Sequence, residues 1–337
     1  MIPTQEQIDN IACLDQRSLD WFRARLGCIT GSCVHYVMKL SDAEKAYNKA
    51  IAVGPVEIES KSDFKTRLSS LKDNKELQDA AKKAGPLKET KEMFAARMDM
   101  LAAKANENPF PDTTVSYLNK LASERNLRGA FVNNDDYFGQ YLERTSISSS
   151  AIRWGEEMEK FARTKYTQLT GYEVAEIGFY RHNTVDWYGD SPDGLVLDNE
   201  GRPIGAIEIK CPKSETWIGY MREFRKAEIA YDEIVEKFMK EHQEIDSDSF
   251  VDEMLPYEQR KSTIMAETLK RIKPEYYWQC QSHCSCNKVD WCDFIAYDQM
   301  QKGEIIIARI YRNDDEINLM HSRIEKANQF IDNEILI

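Results

Sequence analysis

The sequence predicts an α/β protein carrying helical insertions, and three observations predict it. Short β-branched or apolar runs at Leu195–Leu197, Ile204–Ile209, Trp291–Tyr297 and Glu304–Tyr311 read as strands. Segments with helical spacing of apolar residues surround them, chiefly 151–169, the run opened by Pro274 and 317–335. A Lys-, Glu- and Ala-rich stretch, 41–108, holds thirteen basic and twelve acidic residues and is rich in helix formers.

Composition narrows the function classes. The 337 residues are 42% hydrophobic and 30% charged, as in a globular protein, and suffice for one large domain. No apolar run approaches the ~18 residues of a membrane span, and no basic-then-apolar opening marks a secretory signal. The eight cysteines are therefore expected to stay reduced, in the cytoplasm. The net charge of −12 argues at first against nucleic acid, but eleven acidic residues against two lysines fall between Glu228 and Glu258. The rest is near balance, and a DNA enzyme needs a local basic track rather than a basic total.

The elements follow in order. Ser18–Gly27 reads as a short amphipathic helix stopped by Gly27, and a second helix is expected to begin near Ser32, a good N-cap. Arg25 at the end of one helix and Ser32 at the start of the next suit a phosphate, or are ordinary capping. Gly54-Pro55 and Gly85-Pro86 break 41–108 into helices, a solvated elaboration with no assigned chemistry. Ala151–Leu169 is a long helix with the stripe Met158, Phe161, Ala162, Tyr166 and Leu169, bordered by Glu159. Tyr172–Tyr180 and Asp186–Tyr188 are strand-like and lead as an antiparallel meander into a hairpin. The acidic stretch has helical spacing at Tyr231, Ile234, Val235 and Phe238. Asp246–Ser249 is turn-like but lacks the glycine of a calcium loop. Ile305–Ile307 is a buried run, and Ile317–Ile335 a closing helix. A second helical insertion is placed at about 225–270, within a single domain spanning 1–337.

The chemistry concentrates in the hairpin. Side chains two apart on a strand share a face, so Glu208 and Lys210 point together while Ile207 and Ile209 enter the core. Pro212 ends the strand. The turn cluster Asp198–Pro203 folds Leu195–Leu197 back on Ile204–Ile209, which brings Asp193 beside Glu208. Two carboxylates and a lysine then converge. Carboxylates are hard ligands suited to Mg²⁺, which keeps waters for substrate and nucleophile. The lysine holds water or offsets phosphate charge. The plain alternative is a surface hairpin with a salt bridge.

Asp193, Glu208 and Lys210 resemble the motif of the PD-(D/E)xK nuclease superfamily. Ser191-Pro192-Asp193-Gly194-Leu195-Val196 followed by Glu208-Ile209-Lys210-Cys211-Pro212 resembles specifically the phage lambda exonuclease and YqaJ-type viral recombinase family. The resemblance implies a restriction-endonuclease-like core, with a central mixed β-sheet flanked by helices. Trp21, Arg25, Leu26, Gly27, Ile29, Thr30 and Ser32 are similar to the family's N-terminal motif, in which the residues matching Arg25 and Ser32 hold a 5′-phosphate. Trp154–Glu159 is similar to a run whose last glutamate joins the metal site, which points to Glu159. Tyr276 and Gln279 match a tyrosine and glutamine beside that site, with Gln281 competing for the assignment. The resemblance implies Mg²⁺, with Mn²⁺ as a substitute, on Asp193, Glu208 and the Ile209 carbonyl. Glu159 with Asp193 would hold a second ion, and two ions ~4 Å apart stabilise both attacking and leaving oxygens. Lys210 would position or deprotonate the water and Gln279 would steady it. The implied activity is 5′-to-3′ digestion of linear double-stranded DNA to mononucleotides and 3′ overhangs. A ring-shaped homotrimer at DNA ends and a single-strand annealing protein are the implied assembly and partner, with no membrane.

Two rival functions share the residues. One is a structure- or sequence-specific endonuclease of the same fold, which has no need of an end-binding Arg25 and Ser32. The other is a non-catalytic DNA-binding protein, against which the intact Asp193, Glu208 and Lys210 argue. Cys280, His283, Cys284, Cys286 and Cys292 crowd together, but Cys284-Ser285-Cys286 lacks the paired spacing of a zinc or iron–sulfur site, and buried thiols are the simpler expectation. No phosphate-binding Gly-x₄-Gly-Lys-[Ser/Thr] loop is present.

Overall fold

The computed structural model describes residues 13–145, 150–241 and 247–336. Lys39–Val115 forms one compact unit, and the chain up to Met38 together with that from Ser116 forms the other. Among the described residues no helix is long and apolar enough to cross a membrane.

The first unit opens with α1 (Leu19–Arg25), whose N-cap Ser18 accepts a hydrogen bond from the Trp21 amide. Gly27 follows at φ +71°, and a Cβ there would meet Arg125 Cγ at 2.6 Å, so the chain can turn only with glycine. β1 (Ile29–Thr30), a tight turn at Gly31–Cys33 and α2 (Val34–Met38) come next. Ser32 lies inside that turn and does not cap a helix. Pairing of Ile29 with Tyr188 and Thr30 with Gly189 keeps the backbone extended through Thr30, so the turn begins one residue before Ser32.

The 39–115 unit contains α3 (Asp42–Val53), α4 (Lys61–Ser70), α5 (Lys75–Ala84) and α6 (Lys91–Glu107). Ser41, Ser60, Asn74 and Thr90 cap them through their side chains. The two linkers carry one pattern, Glu59-Ser60-Lys61 with Phe64 and Arg67, then Glu89-Thr90-Lys91 with Phe94 and Arg97. They fold alike. Arg67 donates to both Glu59 oxygens at 2.7 and 2.8 Å and to the Gly85 carbonyl at 3.0 Å. Arg97 donates to both Glu89 oxygens at 2.8 and 2.9 Å and to the Gly54 carbonyl at 3.0 Å. A bridge between Glu57 and Lys88 joins the linkers. The unit is a pseudo-twofold pair of helix–linker–helix repeats.

The chain continues as α7 (Asp112–Arg125), α8 (Gly129–Val132), α9 (Asp135–Thr145) and α10 (Ser150–Thr170). Met158, Ala162 and Tyr166 of α10 are buried against Val196, Ile207, Ile209, Trp291 and Ile295. Phe161 and Leu169, expected in the same stripe, are 46% and 57% exposed. A helix lying along one sheet face buries a narrow i, i+4, i+8 row, and those two fall beside it.

The strands are β2 (Glu173–Ala175), β3 (Tyr180–Arg181), β4 (Tyr188–Asp190), β5 (Gly194–Leu197) and β6 (Pro203–Lys210). Three helices separate them from the last two strands: α11 (Ser214–Glu241), α12 (Ser247–Ile272) and α13 (Pro274–Asn287). β7 (Trp291–Tyr297), β8 (Ile305–Tyr311) and α14 (Asp314–Phe330) close the chain. The main sheet has the order β2-β5-β6-β7-β8, and a small one has β1-β4-β3. The β6–β7 pair is parallel and the other main-sheet pairs antiparallel, so the sheet is mixed. The restriction-endonuclease-like α/β architecture is present. The simple meander is not. β2 skips to β5, while β3 and β4 join β1, and the connections are held by Ser191 on the Gly178 carbonyl and Gln16 on the Ile177 and Pro192 carbonyls.

Two further readings change. β8 is an edge strand, so Ile307 is 36% exposed and Ile305 and Ile306 only half-buried. Of the acidic segment, 228–241 belongs to α11 and 247–258 to α12. Asp246 of the expected turn lies outside the described residues, and Ser247–Ser249 are helical. Trp217, Phe224 and Ala227 of α11 and Met265 and Leu269 of α12 are buried.

Candidate active site

The β5–β6 hairpin builds the site. The Asp193 amide donates to the Ile207 carbonyl at 3.2 Å, and the Ile209 amide donates to Asp193 Oδ2 at 2.6 Å. This clamps the Asp193 carboxylate across from Ile209, beside Glu208. Glu208 is fully buried, and the Lys210 ammonium pairs with its Oε1. Apart from that ion pair, Oε1 has no hydrogen-bond partner among the described residues.

The other oxygen of Glu208 is held firmly. Gln279 Nε2 donates to Oε2 at 2.8 Å, and His283 Nε2 lies 2.7 Å from the same atom. Gln279 and His283 are one turn apart on α13, so one helix face presents both. His283 Nδ1 lies 2.6 Å from Asp190 Oδ2, and both residues are fully buried. Ser282 Oγ and Asn287 Nδ2, each at 3.1 Å, complete the Asp190 carboxylate. An imidazole between two carboxylates can donate from both nitrogens only as the imidazolium. Burial opposes that charge, but Asp190 and Glu208 outweigh it and hold the ring well above the usual histidine range. Gln281 turns the other way, donating to the Tyr311 carbonyl and accepting from the Asn313 amide, each at 2.9 Å. Gln279 is thus the glutamine at Glu208.

The charges are unbalanced in a useful way. Burial, then repulsion from Glu208, pushes the Asp193 carboxyl up to about 7. Burial works against ionised Glu208, yet Lys210 and His283 more than offset it and its pKa falls below the ordinary glutamate value. Burial also works against the Lys210 ammonium, but Glu208 and Asp193 prevail and raise its pKa. Lys210 is therefore held as a charged donor.

These residues fit a divalent cation. Asp193 is crowded by Glu208 and pushed up by it, Lys210 faces both carboxylates, and the donors are hard oxygens. Among the described residues no three His, Cys, Asp or Glu side chains converge as a ready ligand set. Mg²⁺ needs none, because it binds through one or two carboxylates and keeps its waters. Glu159 is engaged elsewhere, with Oε1 accepting from Arg163 at 2.9 Å and Oε2 from Arg17 at 3.3 Å. Its charge still acts on Asp193.

Arg25 makes no ion pair among the described residues, although Glu124 lines the same pocket and Asp190 acts on its charge. Its guanidinium lies 3.9 Å above the Trp21 ring and 5.9 Å from that of Phe179. Burial lowers its pKa, the mark of a cation held without full compensation. It lines a pocket of about 240 Å³ with Thr30, Cys33, Tyr117, Lys120 and Tyr141. Ser32 is exposed beside it, its hydroxyl 3.2 Å from Thr30 Oγ1. Gly31 ties this motif to the hairpin site, since a Cβ there would lie 2.0 Å from Asp190 Oδ1.

Asp190 and His283 were not singled out as site residues by the sequence reading. The available signal was the four-residue step from Gln279 to His283; the cysteines around His283 drew attention elsewhere. Cys280, Cys284, Cys286 and Cys292 are buried free thiols, and burial pushes those of Cys284, Cys286 and Cys292 up.

An alkaline exonuclease, LHK-Exo, from Laribacter hongkongensis shares this fold, with 21% identity over 95% of each chain and a TM-score of 0.50. Its complex with dAMP matches with 22% identity over 95% of each chain and a TM-score of 0.50. A phage related exonuclease from Haemophilus somnus 129PT shows 14% identity over 69% of this chain and 86% of its own, with a TM-score of 0.39. No curated protein sequence matches the chain. Residues 114–289 match the YqaJ-like viral recombinase domain, a span that holds the hairpin, Glu159, Gln279 and His283. That span is more than half of the 337 residues, and the chain belongs to the YqaJ-like viral recombinase domain family.

Proposed function

We propose that the protein is a Mg²⁺-dependent exonuclease that digests linear double-stranded DNA from 5′ to 3′, leaving 3′ overhangs for recombination by strand annealing. The observation that carries this reading is the convergence of Asp193, Glu208 and Lys210 at the mouth of one hairpin. Asp193 and Glu208, with the Ile209 carbonyl, would hold the ion. Glu159 would join a second ion only on release from Arg163 and Arg17. A bound divalent cation supplies an activated water and stabilises charge on the phosphate.

The chain's own groups do the rest. Gln279 and His283 fix Glu208 Oε2 and leave Oε1 to Lys210. Lys210 steadies water or phosphate by its charge. Arg25 and Ser32 supply polarity, since a terminal 5′-phosphate carries more charge than an internal diester and Arg25 offers a planar fork for two of its oxygens. Deoxynucleoside monophosphates, the class of ligand in the fold neighbour's dAMP complex, are the expected products. A trimeric ring, a single-strand annealing protein as partner and action in the cytoplasm of a bacterial host complete the proposal, and they rest on the family resemblance alone.

The test compares linear and covalently closed duplexes with Mg²⁺, with end label distinguishing the strands. Mononucleotides should leave the linear duplex from its 5′ ends, faster with a 5′-phosphate than with a 5′-hydroxyl. Arg25→Ala should erase most of that preference. Cleavage of closed circles would favour an endonuclease, and first release of 3′ label would overturn the polarity.

A further inference from the structure

The helices beside the Arg25 pocket form a second groove that this chemistry does not use. It has a volume of about 560 Å³, within the range of ligand pockets, and Arg128, Phe131, Tyr137, Gln140, Tyr141 and Arg144 are its principal walls. No carboxylate lines it, although the chain carries a net charge of −12. Phe131 and Tyr137 are 50% and 52% exposed, with ring centroids 5.1 Å apart. Large rings left this open serve no core. Neither Arg128 nor Arg144 has an ion pair among the described residues. Arg23 nearby shows the contrasting structural use, tied to Asp20, Asp135 and the Val132 carbonyl. Tyr141 lines both this groove and the Arg25 pocket, so the two adjoin across that side chain.

We propose that this groove binds the unpaired bases of the DNA strand left by digestion, the 3′ overhang, by stacking on Phe131 and Tyr137 and by contact of Arg128 and Arg144 with the backbone. Every base offers a π-face, so aromatic platforms beside cations hold single strands without regard to sequence. The choice of strand rests on the reading given under Proposed function. If Arg25 holds the recessed 5′ end, the unpaired strand next to that end is the complementary one, and it leaves the junction past the phosphate pocket. A folded protein partner finds no acidic or extensive apolar counterpart here, only two rings and two guanidiniums around a cleft.

The experiment measures equilibrium binding with EDTA present, so that no cleavage occurs. Labelled duplexes with a blunt end, a 3′ overhang and a 5′ overhang are compared on the full chain. Wild type should bind the 3′-overhang duplex about tenfold tighter than the blunt one, the scale of one stacked base. Phe131→Ala with Tyr137→Ala should abolish that margin while leaving blunt-duplex binding and cleavage unchanged. A photoreactive base in the overhang, placed within the first few nucleotides, should crosslink to this pair. Equal loss on blunt and overhang duplexes, or preference for the 5′ overhang, would overturn the assignment. So would a change in sedimentation of the double variant, because the groove would then be an interface between copies. The two readings fail separately. A protein that shows the overhang margin but cleaves nothing contradicts the exonuclease, whereas 5′-to-3′ cleavage without any margin contradicts only the groove.

Discussion

The 39–115 unit and the hairpin site use the same charged residue types to opposite ends. In the unit, Glu59 and Glu89 each meet an arginine that satisfies both oxygens, and the hydrogen bond from that arginine holds each carboxyl below its ordinary pKa. At the hairpin, Asp193 and Glu208 crowd each other with a single lysine between them, and Asp193 is pushed up to about 7. Closed pairs rigidify a fold and leave nothing to bind. An acid pair short of positive charge is unfavourable alone and becomes favourable only with a cation. The raised carboxyl of Asp193 beside the depressed one of Glu208 is the split that a site of chemistry shows, whereas Glu59 and Glu89 are both depressed by closed pairs.

The contrast is broken most severely at the hairpin. Asp193→Ala and Glu208→Ala should each abolish cleavage supported by Mg²⁺ while the chain stays folded. Lys210→Ala should lower the rate by at least ~10², the scale of losing a preorganised electrostatic group. Nucleotide release from linear duplex, with circular dichroism as the folding control, decides it. Near wild-type turnover in the lysine variant would remove Lys210 from the mechanism.

The next effect lies behind Glu208. His283→Ala leaves Oε2 of Glu208 with Gln279 alone and leaves buried Asp190 with only the neutral donors Ser282 and Asn287. Groups that orient an ion-binding carboxylate typically matter by ~10 to 100-fold in metal affinity or activity. His283→Gln retains one donor and should recover part of the loss. Calorimetric titration with Mn²⁺ gives a readout independent of turnover. Unchanged Mn²⁺ affinity with slower cleavage would confine His283 to packing.

Legibility followed the range of the interactions. The hairpin was readable because a period-two strand, a turn cluster and a terminal proline are local signals, and the resemblance pointed to Gln279 but left Gln281 in competition with it. Asp190 was not, since its meaning comes from His283, ninety-three positions away, and from Gly31. The pairing of β2 with β5 was equally hidden, because strand order goes with loop contacts distant in sequence, such as those of Gln16. Ile305–Ile307 looked buried because composition does not reveal an edge strand. In the 39–115 unit the helix breakers were legible, but the repeated Glu…Arg spacing gained meaning only when each arginine proved to reach the opposite linker's glycine carbonyl.

A smaller effect is expected from the acidic segment. Glu228, Asp232 and Glu233 are exposed on α11, away from its buried Phe224, Ala227 and Phe238. Glu228→Gln with Asp232→Asn and Glu233→Gln should keep the fold and tighten DNA binding a few-fold at moderate salt, since like charge is removed. Binding measured across a salt series checks this, and an unaltered salt dependence would show that the segment does not sense DNA. Replacing all of Glu228–Glu258 by a Gly/Ser linker also removes buried Phe238, so it probes packing together with charge.

The smallest effect belongs to the paired clamps, and it tests whether closed charge pairs are purely structural. Arg67→Ala removes two bonds to Glu59 and one to the Gly85 carbonyl, and Arg97→Ala removes the matching set on Glu89 and Gly54. Both pairs lie near the surface, where water replaces much of what is lost. Each variant should lower Tm by a few degrees, and by similar amounts, because the repeats are equivalent. Arg67→Lys keeps the charge without the fork and should recover only part of the loss, since an ammonium cannot span both Glu59 oxygens and the carbonyl in that geometry. Cleavage rates should stay within about twofold of wild type, because neither arginine contacts Asp193, Glu208 or Lys210. A tenfold fall in activity with an unchanged melting curve would show that this unit takes part in handling DNA. Unequal melting shifts for Arg67 and Arg97 would show that the pseudo-twofold geometry is not matched by equal energetics.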